Sequence, residues 1–228
     1  MSKKIYLSPS DQTANKYAWG GTNEAIQCRR IADACEAALK RCGFQVKNNQ
    51  TASMQGRVAE SDKWGADLHV PIHTNAFNRS VTGTRLFCWN KSGEGYRAAR
   101  AIFKTLAPLT PGTSENIQVN TQLYEIRIPL APTVYIEVDF HDVAAVARWI
   151  VEHTAEIGEA IAQGICRHFG VTYLAPEPVQ QPEKEKEEQE KEVLYRVQVG
   201  AYRVKANAEA MLKKVQNAGF SDAFIRAE

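Results

Sequence analysis

Short apolar runs suited to strands alternate, over the first 174 residues, with longer stretches whose apolar residues recur at helical spacing. "KKIYL" at 3–7 reads as a strand. After a Gly20-Gly21 loop, the stretch from Asn23 to Arg41 carries apolar or small residues at 28, 31, 32, 35, 38, 39 and 42, and Gly43 supplies a stop. "FQV" at 44–46 follows as a strand, then a helix around 53–64, then "ADLHVPI" at 66–72 as a buried strand. "GTRLFCWN" at 83–90 reads as a strand and 94–107 as a helix, while "PTVYIEV" at 132–138 has the β-branched density of a central strand. A helical pattern runs from Asp142 to His168 and stops at Gly170. This alternation predicts an α/β fold, a three-layer sandwich with a mostly parallel twisted sheet flanked by helices. In such sheets ligands collect beyond the carboxyl ends of the strands.

One segment interrupts the pattern. "APEPVQQPEKEKEEQEKE" at 175–192 holds three prolines, seven glutamates and three lysines, a composition that buries too little to fold. It divides a body at 1–174 from a tail at 193–228. The net charge of +2 gives no global pointer to nucleic acid, and no run of eighteen apolar residues spans a membrane. "MSKKIYLSPS" has only a three-residue apolar run, short of a secretory signal, so synthesis in the cytoplasm is expected. Cys28, Cys35 and Cys42 share one helix face, Cys88 and Cys166 stand apart, and no C-x-x-C pair occurs. Reduced, buried thiols are expected, not a disulfide framework or a cysteine zinc site.

The polar residues at the strand ends carry the chemistry. The first strand runs into Ser8, Ser10 and Asp11, "ADLHVPI" into His73 and Asn75, and "PTVYI" into Glu137. A lone histidine beside an apolar run is more often a packed core residue than a ligand, so His73 needs support from elsewhere. Glu24 lies four residues before Cys28 on the core-facing stripe of its helix, where an unpartnered carboxylate is costly and a cation would compensate it. A Glu, a His and one further donor with a position left open form the pattern of a hydrolytic zinc site, and a second Glu nearby suits a general base.

Four motifs in order then carry a resemblance. "TNE" opens the first long helix, "ADLHVPIHTNA" is similar to A-D-x-x-x-S-I-H-x-N-A, "LYEIR" to a V-L-R stretch, and "APTVYIEVDF" to P-A-V-L-V-E-x-G-F. Over about 1–172 the chain resembles the zinc-dependent N-acetylmuramoyl-L-alanine amidases of the amidase-3 family. The resemblance implies a Zn2+ cofactor with Glu24 and His73 as ligands and Glu137 as catalytic base. It implies as substrate the peptidoglycan amide between the lactyl group of N-acetylmuramic acid and the first L-alanine of the stem peptide. Asn75, Arg127 and Arg57 are candidates for substrate contact, although structural roles are open to both arginines.

One departure matters. The family's first strand ends in D-P-G-H-G, whose His is a ligand, where this chain has Ser8-Pro9-Ser10-Asp11-Gln12. Asp11 either completes a Glu/His/Asp set or only caps a turn. His141 and His69 are the alternative third ligands, each with a structural reading beside it. Asp139 stands where the family has Gly and either orients a ligand or ends the strand.

"YRVQVGAYRVKANAEAMLKKVQNAGF" in the tail resembles the first half of a SPOR repeat, a module that binds glycan strands: a strand, a helix at about 205–217 ended by Gly219, then the start of another strand. A tail of this length either stays disordered or pairs with a second copy into a homodimer, and an appendage without binding function is the plainer reading. The first expectation is therefore a peptidoglycan amidase, a phage or prophage endolysin or an autolysin that acts on the wall after release. The alternatives are a metal-free wall-binding pseudoenzyme and a zinc peptidase of other specificity.

Overall fold

The computed structural model describes residues 2–176 and 198–226. The chain divides into two units, Met1–Glu177 and Pro178–Glu228.

The first unit is built on a sheet of six strands: β1 (Lys4–Pro9), β2 (Gln45–Asn48), β3 (Leu68–Asn75), β4 (Arg85–Cys88), β5 (Asn116–Val119) and β6 (Tyr135–Phe140). Their order is β2-β1-β3-β6-β4-β5, and every neighbouring pair is parallel except β4 against β6. The expected three-layer sandwich is therefore present, with one reversal that alternation of strands and helices does not reveal. β5 was not anticipated either.

The pleat sorts the side chains. Ile5, Leu7, Val70, Ile72, Leu86, Ile136 and Val138 join a core shared with α1 (Glu24–Arg41), α3 (Glu94–Leu106) and α6 (Thr154–Phe169). Alternate positions put Tyr6, Ser8, His69, His73, Tyr135, Glu137, Arg85 and Phe87 on the opposite face. Two short helices supply contacts there, α2 (Met54–Trp64) through Glu60 and Arg57, and α4 (Tyr124–Arg127) through Glu125. The predicted helix over 142–168 is divided at His153 into α5 (Ala144–Glu152) and α6.

Helix α6 lies close to two neighbours because it carries glycine where they approach. A Cβ at Gly158 would stand 2.6 Å from the Ile31 carbonyl oxygen, and one at Gly164 would stand 2.4 Å from Ile102 Cα. Only glycine fits both positions without moving backbone.

In the second unit α7 (Lys205–Asn217) has the bounds the pattern predicts and buries none of its residues. Among the described residues, 198–204 and 220–226 form no strand. Most of the charged linker and the start of the strand expected from Leu194 lie outside the described residues.

Candidate functional site

Glu24 is the first residue of α1. Asn23 caps that helix by accepting a hydrogen bond from the Ile26 amide at 3.1 Å, which fixes the first turn against the end of β3. There the Glu24 carboxylate, 1% exposed, meets the imidazole of His73: Oε1 lies 2.8 Å from Nδ1. Burial works to raise the Glu24 pKa, but the hydrogen bond and charge of His73, with help from Asn15 and Ser10, leave it lowered. For His73 burial works downward and is outweighed by Glu24 and Glu137, so its pKa is raised. The two groups form a buried hydrogen-bonded pair in which each favours the charged form of the other, and the His73 ring stacks on Tyr135 with centroids 4.5 Å apart.

Glu137 on β6 is directly opposite His73 on β3, and Arg85 on β4 is directly opposite Glu137. The Glu137 Oε2 is buried and has no hydrogen-bond partner among the described residues, and the same holds for His73 Nε2 and Arg85 Nε. Burial foremost, with the charge of Glu24 adding, pushes Glu137 up to about 7 against the pull of His73 and Arg85. A carboxyl that titrates near neutrality beside an open polar row can accept a proton and return it.

Asp11 does not join Glu24 and His73. Its Oδ2 accepts from Arg57 Nη1 at 3.0 Å, because Arg57 is anchored behind the loop by donating to Ser8 Oγ and the Ala52 carbonyl at 2.7 and 2.9 Å. Polar amides occupy the place instead: Asn15 donates to Glu24 Oε2 at 2.6 Å and to Gln12 Oε1 at 2.8 Å, while Gln12 Nε2 lies 3.4 Å from His73 Nδ1. Neither Gln12 nor Asn15 was singled out from sequence, and the only signal was their position one to four residues past Asp11.

The other candidates are placed as follows. Arg57, expected to contact substrate, is only 1% exposed and is committed within the protein, so it is not placed to reach a ligand. Glu125 accepts hydrogen bonds from Ser8 and His69, and His69 Nδ1 lies 3.0 Å from Ser61 Oγ, so both nitrogens of His69 are engaged away from Glu24. His141 contacts Thr74 Oγ1 at 2.9 Å and stacks on Tyr17, a structural setting. Asp139 accepts from the Gly83 and Phe140 amides at 2.6 and 2.7 Å and so ties the approach to β4. Asn75 ends β3 half-buried, its Oδ1 on the Ala76 amide at 2.8 Å. Arg127 is exposed and lines a cavity of about 390 Å³ with Trp89, Tyr96 and Pro132, away from Glu24, His73 and Glu137. All five cysteines are free.

A catalytic zinc takes three protein ligands. Glu24 and His73 are two of the right kind, but among the described residues no group of three His, Cys, Asp or Glu converges. As arranged, the described residues do not complete a zinc set.

Fold and site together define an α/β domain with a buried Glu/His pair and a high-pKa carboxyl in register beside it. The family described as N-acetylmuramoyl-L-alanine amidase (Amidase_3) matches residues 8–167, and the chain belongs to it. A SPOR domain matches residues 186–227. The chain is similar to the catalytic domain of CwlV, an N-acetylmuramoyl-L-alanine amidase from Bacillus (Paenibacillus) polymyxa var. colistinus, with a TM-score of 0.68 and 19% identity over 75% of this chain and 99% of that one. It is also similar to the amidase AmiC2 of Nostoc punctiforme, with a TM-score of 0.67 and 20% identity over 74% and 97% of the two chains. An uncharacterized 38.4 kDa protein of Clostridium perfringens is 25% identical over 174 residues, 72% of this chain, and the chain spans about half, 51%, of that relative's length.

Proposed function

We propose that this protein is a peptidoglycan amidase that hydrolyses the amide between the lactyl group of N-acetylmuramic acid and the L-alanine of the stem peptide. The observation that carries the reading is Glu137, a carboxyl pushed up to about 7 whose Oε2 has no protein partner, directly opposite His73. Glu137 takes a proton from the attacking water as the oxygen bonds to the carbonyl carbon, then passes it to the nitrogen as the C–N bond breaks. A lactyl carboxylate and a free alanine amine result. The SPOR match supports glycan binding by the tail, and an endolysin or autolysin that meets the wall after release is the setting we favour.

The family is generally zinc-dependent. In this chain zinc needs a third donor, and Asp11 would have to leave Arg57 to supply it. A second reading draws on that gap: Asn15 donates to Glu24 and Gln12 stands beside His73 where a third ligand would be, as a wall-binding protein without hydrolysis would have it.

The test is digestion of purified sacculi by the parent and by Glu137→Gln, with new alanine amino termini counted and metal content measured on the same samples. Release by the parent alone supports the amidase. Binding without release by either, with no bound metal, supports the second reading.

A further inference from the structure

We propose, on the strength of the amidase reading, that Arg85 recognises a carboxylate on the peptide side of the scissile amide and so selects which stem peptides are cut. The antiparallel pairing of β4 with β6 places Arg85 directly across from Glu137, and Glu137 is directly across from His73. Residues facing each other across strands share a face, so three neighbouring strands present a row of base, imidazole and guanidinium.

Arg85 is half-buried, and among the described residues its side chain makes no hydrogen bond and no ion pair, its Nε buried and unsatisfied. The protein's other partly or fully buried guanidinium near the site is treated differently: Arg57 donates to Ser8, Asp11 and Ala52. A guanidinium whose Nε is buried without an acceptor, and whose charge is balanced only through space by Glu137, leaves donor capacity that an anionic ligand can use. Arg85 is also oriented in advance. Its guanidinium carbon stands 4.9 Å from the centroid of the Phe140 ring, a cation–π contact that restrains the side chain without using any of its hydrogen-bond donors.

Spacing sets where that carboxylate lies. Adjacent strands are about 4.8 Å apart, and an extended peptide advances about 3.4 Å per residue. With the scissile amide at Glu137, the group that reaches Arg85 belongs to the next residue of the stem, the second. Arg85 is the guanidinium of that row, on the strand next to Glu137 and on the side away from His73.

The experiment uses two soluble muramoyl peptides that differ only at the second residue, one with a free α-carboxyl and one with that carboxyl as the primary amide. Full-length parent, Arg85→Gln and Arg85→Lys are assayed on both. The parent is expected to favour the free acid by roughly tenfold in kcat/KM, mostly through KM, with that ratio falling to near one in Arg85→Gln and to an intermediate value in Arg85→Lys. The ratio is internal to each variant, so a partly unfolded sample does not shift it. A parent without preference, or an Arg85→Gln that keeps the parent's ratio, overturns the proposal. If the parent cuts neither peptide, the amidase reading fails separately, and calorimetric binding of the same two peptides decides the question for Arg85: a preference lost in Arg85→Gln supports it and a preference retained overturns it.

Discussion

Glu24 Oε1 and His73 Nδ1 lie 2.8 Å apart, so a residue at the start of a helix and a residue near the end of a strand 49 positions later close on each other inside the protein. Each holds the other's charge: the Glu24 pKa is lowered and the His73 pKa is raised. Replacing Glu24 by Gln removes the anion that favours protonated His73 and leaves the buried imidazole with a weaker partner. Glu24→Gln is expected to lose about 3 kcal/mol in urea unfolding and to abolish release of alanine termini from sacculi. Unchanged stability would show that the pair contributes nothing to the fold.

Glu137 works in the opposite direction. Its folded pKa is about 7 against an ordinary 4.5, so as pH rises from 4.5 to 7 the unfolded chain gives up a proton that the folded chain still holds. Stability attributable to this group therefore falls across that window. Glu137→Gln is expected to melt higher than the parent at pH 8, by the equivalent of about 1–3 kcal/mol, and to converge with it near pH 4. On the proposed reading the same substitution removes the base, and activity is expected to be lost as stability is gained.

Arg57 and Glu125 give the acid limb. Burial works to raise the Glu125 pKa, but His69, Ser8 and the charge of Arg57 outweigh it and leave it lowered. A depressed carboxyl contributes stability that is present above the unfolded value of 4.5 and is lost as pH falls below it. Melting curves between pH 6 and pH 3 are expected to fall steeply for the parent and more gently for Glu125→Gln. Arg57→Gln, which removes a buried cation 3.9 Å from Glu125 and its hydrogen bonds to Ser8, Asp11 and Ala52, is expected to cost about 3–5 kcal/mol at neutral pH.

The glycines of α6 make a packing prediction free of charge effects. Gly164→Ala places a methyl 2.4 Å from Ile102 Cα, and Gly158→Ala places one 2.6 Å from the Ile31 carbonyl oxygen. Each is expected to lower stability by about 1–3 kcal/mol, although alanine is the better helix former. An increase in the urea midpoint for either would mean that α6 shifts without cost.

His73 and Glu137 were legible because strand chemistry is local: a run of alternating or continuous apolar residues fixes which side chain comes next at its end. Glu24 was legible because helical spacing alone puts it on the inward stripe. Asp11 was not, since its direction is decided by Arg57, 46 residues away, and only the folded chain brings that guanidinium behind the loop. Arg85 was missed for a related reason. Its place beside Glu137 depends on β4 running against β6, whereas alternating strands and helices are read by default as parallel. β5 is four residues in a polar stretch with two of them exposed, too short for its pattern to stand out. In the tail, the helix over 205–217 follows from its own spacing, but a strand needs a partner, and 198–204 and 220–226 form none.

The two outermost strands of the sheet, β2 and β5, have four residues each. So brief a border exposes few unpaired backbone groups to a neighbouring molecule, and edge-to-edge aggregation has little to build on.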